Sequence, residues 1–210
     1  MKQARTGLGI LGGSFDPIHF GHIRLAKAVY QHCTLKTILL IPCKISPSKL
    51  QPPRATPQER LAMIKLAIKN YPFLAADDFE LTARTPSYTI NTLEYLVKKT
   101  NDPLFLIMGD DAFNFFTCWR KWQTILTLTN LITVSRRLVT SSNRTLLPTK
   151  PFPEFGSSIP KAGSVYTIPF NNCDISSSKI RAIIEKKQNI GHLTPKSVGS
   201  YINDNHLYFS

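Results

Sequence analysis

Apolar positions along this chain follow two alternating rhythms. Short continuous apolar runs occur at residues 8–11, 35–41, 104–108, 131–134 and 165–170. Runs of that length, bounded by Gly, Pro or Asp, read as buried strands. Between them the spacing changes to that of a helix. Residues 20–33 place Ile23, Leu25, Ala26, Ala28 and Val29 at helical intervals, and residues 88–99 turn Ile90, Leu93, Leu96 and Val97 to one side. Thr56-Pro57-Gln58-Glu59 has capping-box spacing with Pro at the first helical position, and it starts a helix that runs to about Asn70. A further strand is expected at 75–81. Two short aromatic helical pieces, with Trp119 and Trp122, follow Asp111, and helices at 177–188 and 195–204 close the chain. Residues 138–163 are rich in Ser, Thr and Pro, lack a period and read as a long surface loop with room for minor structure. No internal repeat is present.

Strand and helix alternate, which predicts one α/β domain over residues 1–210: a Rossmann-like, doubly wound parallel sheet with a small C-terminal helical part. Ligands of such sheets lie beyond the carboxyl ends of the strands, where the strand order reverses. The places to search are therefore residues 12–22, 42–49, 109–111, 135–137 and 171–181.

Charge narrows the class of ligand. The chain has 26 Lys and Arg against 13 Asp and Glu, a net charge of +13. That surplus suits polyanions such as nucleotides, phosphorylated metabolites or nucleic acid. The cations are scattered rather than clustered, so a solvated basic surface accounts for most of them and a nucleic-acid partner is a minor alternative. No apolar run approaches the ~18 residues of a membrane span. The basic start is followed by a short apolar stretch that breaks at Gly12-Gly13, without a small-residue cleavage site, so no signal peptide is expected. Cys33, Cys43, Cys118 and Cys173 include no C-x-x-C pair, and the expected compartment is the reducing cytoplasm. A homo-oligomer is compatible with the sequence.

The stretch Gly12 to His22, GGSFDPIHFGH, carries the first candidate chemistry. Gly12 and Gly13 allow a ligand to approach the backbone without meeting a Cβ. Asp16-Pro17 is a turn-forming pair. With a helix beginning near Phe20, His19 and His22 stand three residues apart at its start, so both rings can face one spot above the sheet. A helix start attracts anions, and two imidazoles add directional bonds to phosphate oxygens. A second stretch, Ile175-Ser176-Ser177-Ser178-Lys179-Ile180-Arg181, is rich in N-cap residues and carries a forked phosphate donor in Arg181. Taken alone, each has a plain structural explanation, a surface histidine pair or a Ser-rich cap. Two such helix starts at strand ends of one sheet make that explanation poor.

These two stretches resemble the signatures of the nucleotidylyltransferase superfamily, H-x-G-H and I-S-S-T-x-I-R, with Ser178 in place of Thr. The resemblance extends along essentially the whole chain to the nicotinate-nucleotide adenylyltransferases: Ser87-Tyr88-Thr89 with Thr92-Leu93, the strand ending in Gly109-Asp110-Asp111, Trp119-Arg120, and Tyr201-Ile202 with Leu207-Tyr208. It implies transfer of AMP from ATP to nicotinate mononucleotide, with Mg²⁺ carried on the phosphates and no protein metal ligand. It implies catalytic roles for His19, His22 and Lys49. ATP would be held by Gly12, Gly13, Ser14, Phe15, His19, His22, Gly109, Asp111, Arg136, Ile175, Ser176, Ser177 and Arg181. The second substrate would be held by Lys49, Thr89, Asp111, Trp119 and Arg120, with the backbone amides of Trp119 and Arg120 gripping the nicotinate carboxylate. Three positions depart from the family pattern. Pro47-Ser48-Lys49 lacks the usual His, Arg120 replaces Tyr or His, and Arg136 is followed by Arg137-Leu138 rather than Pro-Gly. Rival readings are a phosphopantetheine adenylyltransferase, a cytidylyltransferase, an adenylyltransferase acting on nicotinamide mononucleotide, and a non-catalytic nucleotide- or RNA-binding module.

Overall fold

Strands form at each of the apolar runs. The computed structural model describes residues 5–45, 51–83, 86–135, 147–154, 157–170 and 174–209. Its strands are β1 (Leu8–Gly13), β2 (Thr37–Pro42), β3 (Leu74–Ala76), β4 (Leu104–Gly109), β5 (Asn130–Ser135), β6 (Lys150–Pro151) and β7 (Val165–Pro169). They make one sheet in the order β3-β2-β1-β4-β5-β7-β6, and every pair is parallel. The strands read as continuous apolar runs because both faces are covered. Leu104, Leu106 and Met108 enter one core while Phe105 and Ile107 enter the other.

Four helices cover the first face. These are α1 (Phe20–His32), α2 (Pro57–Ile68), α7 (Ser177–Glu185) and α8 (Lys196–Asp204), which bury among others Ile23, Met63, Ile180 and Ile202. The opposite face is covered by α4 (Thr89–Leu96), α5 (Asp110–Asn114) and α6 (Trp122–Leu128), through Leu93, Phe113 and Ile125. The helix start at Thr56 is the expected capping box. Glu59 N donates to Thr56 Oγ1 at 3.3 Å and Thr56 N donates to Glu59 Oε2 at 2.7 Å.

Two segments differ from the sequence reading. The strand expected at 75–81 stops at Ala76, and a helical turn, α3 (Phe79–Thr82), follows. The Asp77 carboxylate turns the chain there by accepting the Phe79 N–H at 2.9 Å. Such local bonds compete with a sheet ladder. Within 138–163, β6 adds a two-residue strand alongside β7.

The sheet also shows where a ligand can enter. β1 stays paired with β2 as far as Gly13 and Pro42, but its pairing with β4 ends at Leu11 and Ile107. The strands on the two sides of the order reversal therefore part at their carboxyl ends. Gly12-Gly13 and Gly109 border the opening, and a Cβ built on Gly12 or Gly109 would meet nothing within 4 Å.

Candidate active site

The chain leaving β1 makes a tight turn before α1, and it is fixed from behind. Arg60, fully buried on α2, donates through Nη1 to Ser14 O at 2.7 Å and to Cys43 O at 2.6 Å. One guanidinium thus ties the ends of β1 and β2 together. The Asp16 carboxylate is 3% exposed and accepts from four donors. Oδ1 takes Ala55 N at 3.0 Å and the Tyr208 hydroxyl at 2.9 Å, and Oδ2 takes Arg54 N at 2.9 Å and Arg181 Nη1 at 3.4 Å. Arg181 Nη1 also donates to Asp16 O at 2.7 Å, and Ser177 Oγ donates to Pro17 O at 2.9 Å. Phe15 holds a left-handed φ of 48° with its ring buried against this turn's core.

His19 and His22 emerge from that turn. Their rings stack at 3.8 Å between centroids, and the Phe15 ring lies 4.8 Å from that of His22. His19 N donates to His22 Nδ1 at 3.3 Å. An Nδ1 that accepts places the ring proton of His22 on Nε2. Gly21 makes the stacking geometry feasible. A Cβ there would stand 2.9 Å from His19 Nδ1 and 3.0 Å from its Cε1. Burial pushes the His19 pKa down to about 4, so its ring is neutral at pH 7. A bound polyphosphate would draw a proton toward it.

The second sequence motif packs directly on the first. Ser176 caps α7, accepting Lys179 N at 3.3 Å, and Ile175 O lies 3.6 Å from where a Gly21 Cβ would be. The starts of α1 and α7 are therefore neighbours. Helix starts so placed suit one shared anion, although at α1 Phe20 N already donates to Leu193 O and His22 N to His19 O. Ser177 and Arg181, expected to hold phosphates, bond the turn of the first motif, with Arg181 Nη2 donating to Ser178 Oγ at 3.4 Å.

The other candidate residues gather on the opposite side of the opening. A cleft of about 810 Å³ is lined by Tyr88, Thr89, Asp111, Phe115, Trp119 and Arg120, with Ser87 and Cys118 among its walls. Asp111 reaches it from the first turn after β4, and Thr89 from the first turn of α4. The Arg120 guanidinium lies over the Tyr88 ring at 4.7 Å, and Trp119 is held against Phe116 at 5.7 Å. An aromatic cleft with a stacked guanidinium suits a flat, anionic ring. Of the expected site residues, Lys49 and Arg136 lie outside the described residues.

Comparison with known proteins shows the family. Residues 10–183 match the cytidylyltransferase-like family. A relative from Hydrogenovibrio crunogenus, named "probable nicotinate-nucleotide adenylyltransferase", is 35% identical over 98% of this chain and 99% of its own length. A second of the same name, from Desulfatibacillum aliphaticivorans, is 34% identical over 96% and 99%. This chain belongs to the nicotinate-nucleotide adenylyltransferases, within the cytidylyltransferase-like family. The fold is that of the Plasmodium falciparum nicotinic acid mononucleotide adenylyltransferase complexed with NaAD, at a TM-score of 0.68, 20% identity and 97% coverage of both chains. Among the described residues of this adenylyltransferase, no helix is long and apolar enough to cross a membrane.

Sequence reading missed two residues that the site leans on, Arg60 and Tyr208. Arg60 carried a signal: it sits on the inward stripe of α2 with Met63, Ile64 and Ala67, where a charge requires a buried partner. Tyr208 carried only its place in the family-like ending, which says nothing of its contact with Asp16.

Two predictions follow from the histidine pair. Gly21→Ala improves helix propensity by about 1 kcal/mol yet displaces His19, so thermal stability should hold while turnover falls at least tenfold. Loss of stability with unchanged turnover would contradict that assignment. Between pH 6.5 and about 4 the unfolded chain protonates His19 and the folded chain does not. Stability of the ligand-free protein therefore falls as pH drops through that window, by up to about 3 kcal/mol from this residue. Denaturant titrations should show that slope reduced in His19→Gln.

Proposed function

We infer that this protein transfers the adenylyl group of ATP to the 5′-phosphate of nicotinate mononucleotide, giving nicotinate adenine dinucleotide and pyrophosphate, a step of NAD biosynthesis. The observation that carries the reading is the pairing of two sites at one opening of the sheet. A histidine-lined helix start stands at the end of β1, and an aromatic cleft with a guanidinium stands beyond the end of β4.

ATP lies with its triphosphate across Gly12-Gly13 between the starts of α1 and α7, and nicotinate mononucleotide lies in the cleft. A phosphate oxygen of the mononucleotide attacks the α-phosphorus as the bond from that phosphorus to the bridging oxygen of the β-phosphate breaks. The electron pair leaves with pyrophosphate. A phosphate is nucleophilic at pH 7, so no protein nucleophile is needed, and catalysis is alignment plus stabilisation of charge. His22, through Nε2–H, and His19 bond the phosphoryl oxygens on which charge builds. Lys49 neutralises the incoming phosphate or the departing pyrophosphate, and Arg136 with Ser176, Ser177 and Arg181 serves the ATP phosphates. Gly109 and Asp111 border the nucleotide.

ATP enters as its Mg²⁺ complex. The donors around the opening are N–H groups, imidazoles and guanidinia, which suit anions. Among the described residues no group of three His, Cys, Asp or Glu is placed to hold a metal. Mg²⁺ commonly stays on substrate phosphates and water. Thr89, Trp119 and Arg120 hold the nicotinate, and the Arg120 N–H and guanidinium select its carboxylate, since the Trp119 N–H expected to share that role is given to Phe116 O at 2.9 Å. The thiols of Cys33 and Cys118 stand in no disulfide, which fits a reducing cytoplasm.

Pyrophosphate release from ATP tests the reading directly, run with nicotinate mononucleotide, nicotinamide mononucleotide, phosphopantetheine or no acceptor. Nicotinate mononucleotide should be the preferred acceptor, and equal rates with the nicotinamide form would overturn carboxylate selection. His22→Ala should lower turnover by ~10²–10³. Near-normal turnover would remove His22 from the mechanism.

A further inference from the structure

The catalytic turn is held largely by the far end of the chain. Phe20 N, at the start of α1, donates to Leu193 O at 2.9 Å. Arg181 and Ser177, from α7, bond the carbonyls of Asp16 and Pro17. Beyond α8, Tyr208 stands two residues before the end of the sequence and gives its hydroxyl to Asp16 Oδ1 at 2.9 Å. Tyr208 is 6% exposed and adopts a left-handed φ of 68°, a conformation that bulky side chains avoid. Such a backbone persists where surrounding contacts over-determine it.

The histidines depend on such support. His19 Nδ1 is buried and has no hydrogen-bond partner among the described residues. The His19 ring is oriented by its stacking on His22 and by the backbone that delivers it, and that backbone is the turn anchored at Asp16, three residues earlier. A shift of the Asp16 carboxylate therefore passes to both rings. The acceptor cleft belongs to the other face: its packing aromatics, Tyr88 and Trp119, lie against the core opposite the one that contains Tyr208.

Building on the adenylyl-transfer reading, we propose that Tyr208 is a positioning residue for His19 and His22, acting through Asp16, so that the C-terminal segment latches the catalytic turn in its working geometry. Burial and the neighbouring Asp16 carboxylate both push the Tyr208 phenol above its ordinary range, so it remains a donor throughout the neutral pH range. The latch is a hydroxyl bond that alters no contact with substrate. Its loss lowers the rate of the chemical step without weakening acceptor binding.

Tyr208→Phe removes that hydroxyl and keeps the ring. At saturating ATP and nicotinate mononucleotide, kcat should fall about tenfold while KM for the mononucleotide stays within twofold. The histidine ring signals in NMR spectra of the ligand-free protein should shift, while the indole signals of Trp119 and Trp122 stay. In a double-mutant cycle, Tyr208→Phe should add less than a twofold loss to that of Asp16→Asn, because both act on one path. A kcat within twofold of the parent, unmoved histidine signals, independent losses in the cycle, or a Tyr208→Phe chain that does not fold would each overturn the proposal. If the parent protein itself releases no pyrophosphate with nicotinate mononucleotide, the adenylyl-transfer reading fails, and the histidine signals still decide the latch.

Discussion

The Asp16 carboxylate is the contact on which the site is built. A buried carboxylate is costly unless its oxygens are fully bonded. Here the donors come from three distant stretches: Arg54 and Ala55 ahead of α2, Arg181 on α7, and Tyr208 at the chain's end. Each donor satisfies Asp16, and together they draw the loop after β2 and both C-terminal helices onto the turn after β1. Arg60 completes the arrangement from below by tying Ser14 O to Cys43 O. Asp16 faces both Arg60 and Arg181 while Arg54 pairs with Glu185, so this region keeps a positive balance.

The sheet divides the remaining labour. On one face, α1, α2, α7 and α8 share a core that ends in the phosphate-facing helix starts. On the other, α4, α5 and α6 share a core that ends in the aromatic cleft. In the proposed reaction the two substrates approach from opposite faces and meet where β1 and β4 part. This arrangement explains why the chain needs no protein nucleophile. Position is supplied by two rigid packings, and the reacting phosphate by the substrate.

Most of this was legible in the sequence because it rests on local pattern. The apolar runs located the strands, Thr56 and Glu59 located the start of α2, and the histidine pair located the opening. The substrate cleft was legible only through resemblance, since Thr89, Asp111, Trp119 and Arg120 have no common local signature; folding brings them to one wall. The strand expected at 75–81 failed because one carboxylate, Asp77, outweighed a weak apolar run. Arg181 was expected as a phosphate donor; its place as an anchor of Asp16, a contact across 165 residues of sequence, was not legible. Long-range bonds to backbone carbonyls leave no periodic trace, and the same holds for Tyr208.

The most direct measurement is a crystal structure of the protein with Mg²⁺ and a non-hydrolysable ATP analogue. The account predicts the triphosphate above Gly12-Gly13, with oxygens of its α- and β-phosphates in hydrogen-bond contact with His19 and His22 and its far end at the start of α7. The turn at Asp16 should keep its bonds to Tyr208 and to the backbone of Arg54 and Ala55. A triphosphate seated elsewhere on the sheet, or one whose phosphates touch neither histidine, would contradict it.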